Sequence, residues 1–111
     1  TTLVFEGESL WVGHLGEYIV LKLDTNGRVL GTFPFFAPPG AIGFDGQLIW
    51  VSPWYDAQVL SPGMVIITKT GELVARLPVG FNAGILAFDG RSMWASNPSG
   101  DTVSRFTPLT N

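Results

Sequence analysis

The chain of 111 residues contains no cysteine and one histidine, His14. Without thiols there is no disulfide framework and no thiolate metal site. A single imidazole does not make a histidine-cluster metal site. Charge is scarce as well: 14% of the residues are Asp, Glu, Lys or Arg, and the net charge is −3. That balance weighs against nucleic acid, which needs clustered Lys and Arg to replace counterions. It weighs equally against an anionic membrane surface. No apolar run approaches the roughly 20 residues that span a bilayer, and no stretch reads as a secretory signal. The chain opens Thr1-Thr2 with no initiator Met. It is therefore expected to be a processed chain or a piece of something longer. A helical period of 3.6 is sustained nowhere, because Pro and Gly interrupt every candidate window.

Apolar residues, by contrast, make up 46% of the chain, which argues against disorder. Gly (14) and Pro (8) are abundant, as suits a chain of many tight turns. The length is that of one domain.

One phrase occurs three times: FEGESLWVG from Phe5, FDGQLIWVS from Phe44 and FDGRSMWAS from Phe88. The copies start about 40 residues apart, and self-similarity at that period marks a repeat architecture. Each Phe precedes a Trp by the same spacing, giving Trp11, Trp50 and Trp94. An apolar residue stands before each Trp: Leu10, Ile49 or Met93. The match extends further. The stretches 24–44 and 68–88 align without a gap, pairing Gly27 with Gly71, Pro34 with Pro78 and Gly40 with Gly84.

Each copy reads as short strands punctuated by turns. The runs AIGF and ILAF suit fully buried strands. Asp45-Gly46 and Asp89-Gly90 are hairpin signals, read as the two central residues of a type I′ turn. The Trp-bearing strand follows. A third strand comes next: YIVLKL, MVIIT or TVSRF. Asn26-Gly27 or Thr70-Gly71 then turns the chain into a fourth, VLGTF or LVARL. The predicted fold is all-β, and each copy is a four-stranded antiparallel meander, the unit of a β-propeller. The repeats fall at approximately 1–39, 40–83 and 84–111, the last without its outer strand. A lone blade has two apolar faces and must stack on neighbours. Phe5, Trp11, Phe44, Trp50, Phe88 and Trp94 are accordingly expected to form the core between blades.

The string FDGQLIWVS…TGELVARLPVG…GILAFDG resembles the YVTN family of bacterial β-propeller repeats, over essentially the whole chain. The family pattern is FDG-x-x-x-W-V, a variable loop, T-G, and V-G before the next strand. Glu6 departs from it, standing where the other copies have Asp. The resemblance implies an extracytoplasmic or cell-surface setting. It implies little about activity, since propellers host many. Closed propellers need about four to eight blades. The chain is therefore expected to be a segment of a larger propeller, or a protomer completing a ring with copies of itself.

Candidate sites lie where the repetition breaks. The second copy is longer between Val51 and Met64, and carries Trp54, Tyr55 and Asp56 there. An aromatic pair beside a carboxylate suits a sugar ring or a protein partner. The alternative is that Trp54 folds back as a lid over the neighbouring blade. His14 lacks any nucleophile-elbow context and reads as an ordinary loop residue. Asp45 and Asp89 resemble paired carboxylates, but their turns already account for them. Asp101 reads as a loop residue. No phosphate-binding glycine loop occurs. The stretch FPFF from Phe33 reads as inter-blade packing.

The leading expectation is a non-enzymatic module presenting loops to a protein or glycan, with no cofactor, catalytic residue or metal. A lyase of the streptogramin-lyase type is the runner-up. It would need His14, acidic partners and a divalent cation, and the phrase here differs from that family's G-x-I-W-F-T. A purely structural sector of a large surface or filament protein is the third reading.

Overall fold

Short apolar runs broken by Gly, Asp and Asn produce short strands here, eleven among the described residues. The computed structural model describes residues 2–14, 16–35, 37–53, 63–77, 84–97 and 102–107. The first sheet runs β1 (Thr2–Phe5), β2 (Leu10–His14), β3 (Ile19–Leu23), β4 (Val29–Pro34), with each strand beside the next. The second runs β5 (Pro39–Phe44), β6 (Ile49–Pro53), β7 (Met64–Ile67), β8 (Leu73–Leu77) in the same order. The third holds β9 (Leu86–Phe88), β10 (Met93–Asn97) and β11 (Thr102–Phe106), three strands among the described residues. All pairings are antiparallel. The fold is all-β, built of propeller-like blades in a ring that is not closed.

Register gives each blade two distinct faces, because residues directly opposite each other in a ladder share a face. In the first blade Val4 opposes Trp11, Trp11 opposes Lys22, and Val20 opposes Phe33. This is the tryptophan face. Leu3, Val12 and Leu21 lie on the other, aliphatic face, with Phe5, Leu10 and Leu23. The second blade repeats the division: Trp50 opposes Gly43 and Ile66, while Ile49 opposes Phe44 and Ile67.

The blades stack so that each tryptophan face meets the next blade's aliphatic face. Trp11 and Val20 of the first blade pack with Ile42, Ile49, Val51, Val65 and Ile67 of the second. Trp50, Met64 and Ile66 of the second pack with Leu86, Met93 and Ala95 of the third. The central blade is covered on both sides, so every residue of β6 is buried. This is why its sequence is apolar without alternation. Strand β5 touches β1 and β9, which brings the first strands of the three blades together. The Cα radius of gyration is 13.1 Å, close to the ~13 Å of a compact domain of about 100 residues. The blades therefore form one body.

Two expectations change at the ends of this stack. Phe5 is 51% exposed and Trp94 is 37% exposed, although their repeat positions mark them as core. Phe5 lies on the aliphatic face of the first blade and Trp94 on the tryptophan face of the third, and no blade stands against either. The expected buried strand ILAF is also shorter. Ile85 falls outside β9 and is exposed, and only Leu86 within β9 is buried. The reason is the same: β9 is covered on one side only.

Candidate functional site

The repeated phrase builds a carboxylate-to-indole staple. Asp45 N–H donates to the Leu48 carbonyl at 3.1 Å, so the central turn pair is Gly46-Gln47. In the third copy Asp89 N–H donates to the Ser92 carbonyl at 3.1 Å, and the central pair is Gly90-Arg91. This corrects the placement of Asp-Gly at the centre. Gly46 and Gly90 supply left-handed backbone, with φ of 95° and 99°. Asp supplies acceptors instead. Asp45 Oδ1 takes the amide N–H groups of Gln47 (2.9 Å) and Leu48 (2.7 Å), and its Oδ2 takes Trp50 Nε1–H at 2.8 Å. Asp89 repeats this with Arg91 (2.8 Å), Ser92 (2.7 Å) and Trp94 Nε1 (2.7 Å). Glu6, one methylene longer, still receives Trp11 Nε1–H at 3.0 Å.

The register explains why the staple works. Trp50 opposes Gly43, so Asp45, two residues beyond Gly43, is the diagonal neighbour of Trp50 on the same face. The Ser92 amide, the Trp94 indole and the Arg91 amide, in that order, hold the Asp89 carboxyl below its ordinary 3.8, at about 2. Three donors to the ionised form have this effect. These carboxylates are thus occupied in building, each within its own hairpin.

The second type of turn also has two copies. Asp24 N–H donates to the Arg28 carbonyl, and Asp24 Oδ1 accepts from the amides of Asn26 and Arg28. Thr68 plays the same part for Thr70 and Glu72 through its hydroxyl. Gly27 and Gly71 take the left-handed position, at φ 86° and 89°.

His14 ends β2 opposite Ile19 and is half-buried. Among the described residues no group of three or more His, Cys, Asp or Glu side chains comes together. No helix of the described residues is long and apolar enough to cross a membrane. Trp54, Tyr55 and Asp56, the expected binding residues, lie outside the described residues, as do Phe36 and Asp101. A cleft of about 280 Å³ opens between the first two blades, lined by Phe33, Pro34 and Phe35 on one side and Val65, Leu73 and Arg76 on the other.

Two surfaces stand out as unfinished. On the first blade the aliphatic face presents Leu3 (62% exposed) and Phe5, with Leu10, Val12, Leu21 and Leu23 half-buried around them. The equivalent residues of the second blade are Ile42, Phe44, Ile49, Val51, Val65 and Ile67, all packed in the first interface. On the third blade the tryptophan face presents Trp94, Ala87 and Val103. Its equivalent in the second blade holds Trp50, 2% exposed against the third blade. The sequence held this signal in its repeat register, but only the stacking shows which copy of each face is left open.

Compared with protein-family models and with curated proteins, the chain matches none.

Proposed function

We propose that this chain is a non-enzymatic β-propeller module, an interaction scaffold of the YVTN-like kind, acting outside the cytoplasm as part of a ring completed by further blades. The blades come from a longer chain or from copies of this one. The loops of the ring, including Trp54, Tyr55 and Asp56, present the surface for a protein or glycan partner. The observation that carries this reading is the pair of open end faces. The first is apolar and the second centres on the exposed Trp94, and each repeats a face that is buried elsewhere in the same molecule. Contiguous apolar surface of this kind marks an association site. The engagement of the Asp45 and Asp89 carboxylates with amides of their own turns supports the non-enzymatic part.

Light scattering coupled to size exclusion tests it. The expected result is a folded chain whose mass exceeds that of one copy and depends on concentration. A clean, well-folded monomer with both faces in water overturns the reading.

A further inference from the structure

Lys22 sits at a place the rest of the repeat makes informative. Its ammonium lies over the Trp11 ring, 5.4 Å from the centroid. From there it reaches across the first interface and donates to the Lys69 carbonyl, at 2.7 Å, in the turn between β7 and β8. The cation thus joins one blade's Trp to the next blade's third-to-fourth-strand turn. At the second interface the equivalent residue, opposite Trp50, is Ile66, and it is packed in the core.

Arg105 occupies this position in the third blade. It opposes Trp94 in the ladder, as Lys22 opposes Trp11. Its guanidinium lies 5.7 Å from the Trp94 centroid. A blade that covers Trp94 as the second blade covers Trp11 would bring its third-to-fourth-strand turn within reach of Arg105, as Lys22 reaches the Lys69 carbonyl. The first blade of this chain has that turn, Asp24 to Arg28, with Thr25 at the place of Lys69. It also has the open aliphatic face that a tryptophan face meets in both internal interfaces. At its turn the hypothetical Cβ of Gly27 meets nothing within 4 Å, whereas at Gly71 it runs into the Phe33 ring.

We propose that these two open faces, which match the two sides of both internal interfaces, are covered by a second copy of this chain, docked head to tail. The Trp94 face of each copy lies on the Leu3 and Phe5 face of the other, and Arg105 donates to the Thr25 carbonyl across the joint. Two copies supply about six blades, within the range that closes a propeller. Because both joints are used, the association is closed and stops at two. This rests on the scaffold reading above and names its partner.

The chain has no cysteine, so engineered thiols report the geometry directly. At the second interface a Cβ built on Gly43 comes 3.0 Å from Leu86 Cβ. One joint further on, the same pair is Ala87 and Leu3 of the second copy. A disulfide needs a Cβ–Cβ separation of about 3.5–4.5 Å, within easy adjustment of that value. Ala87→Cys and Leu3→Cys chains, both at exposed positions, are prepared separately, checked for wild-type circular dichroism, and oxidised alone or mixed. The expected result is covalent dimers in the mixture, about ten-fold above either chain alone, and a wild-type mass of two copies. Arg105→Glu is expected to weaken association about ten-fold, and Arg105→Lys to retain it, since Lys22 fills that role at the first joint. Dimers in Ala87→Cys alone overturn the head-to-tail arrangement, as does polydisperse association without the 3–87 link. Both leave the scaffold reading standing. A folded monomer overturns both readings together.

Discussion

The Asp45 carboxylate accepts from three donors, the amides of Gln47 and Leu48 and the Trp50 indole, which makes it the residue on which the repeat phrase turns. Asp45→Ala leaves the Trp50 indole N–H and two loop amides without their acceptor. Hydrogen bonds to a charged group contribute about 1.5–3 kcal/mol net. Urea denaturation is expected to read a loss of that size for Ala. The loss should be smaller for Asp45→Asn, whose Oδ1 still accepts from the amides. Asp89 makes the same bonds, and its depressed carboxyl ties stability to pH. The folded value, about 2, lies below the ordinary 3.8, so the stabilisation is present above pH ~4. It is lost as the pH falls through the window down to about 2. An NMR titration of the Asp89 side chain should find its midpoint near 2, and Trp94→Phe, which removes one donor, should raise it.

Turns and the strand beside them form the next unit. Gly27 and Gly71 occupy the same place in the same turn, yet they meet different surroundings. Gly27 points into open space, whereas Gly71 lies beneath the Phe33 ring of the preceding blade. Phe33 in turn stacks on Trp11, at 5.5 Å and 19° between planes. Gly27→Ala therefore carries only the cost of left-handed backbone, about 1–2 kcal/mol. Gly71→Ala adds a displacement of Phe33, and overpacking of this kind costs about 1–3 kcal/mol more. Paired thermal melts of the two variants at low protein concentration should show the difference. Equal losses would mean that Phe33 moves aside freely. The packing of Phe33 and Phe35 at the first interface was legible from the run of aromatics at a strand end. The glycine beneath Phe33 was not, since the sequence places Gly71 in a turn without saying which ring lies over it.

At the scale of the whole molecule, the three repeated tryptophans separate. Trp11 is fully buried, Trp50 nearly so, and Trp94 is open. Trp50→Ala leaves a cavity between the second and third blades and should cost about 3–5 kcal/mol. Trp94→Ala removes no intramolecular blade contact of that kind. Its main effect should fall on the concentration dependence of unfolding, because Trp94 lies in the face assigned to the partner. Denaturation midpoints of both variants at several protein concentrations check this. A Trp94→Ala loss as large as that of Trp50→Ala, at every concentration, would show that Trp94 already belongs to a finished core.

The phrase FDGQLIWVS determined by itself the hairpin, the Trp-bearing strand and, through its recurrence, the all-β blade architecture. Those follow from local chemistry: glycine at left-handed positions, a turn-making carboxylate, and short apolar runs between the turns. The identity of the turn's central residues needed the ladder register, which moved Asp45 from the turn's centre to its flank. Tertiary structure alone decided which faces are covered. Phe5 and Phe44 stand at identical places in the repeat, and no local rule separates them. The difference arises because burial depends on what stacks against a face, and the first and last blades each lack one neighbour.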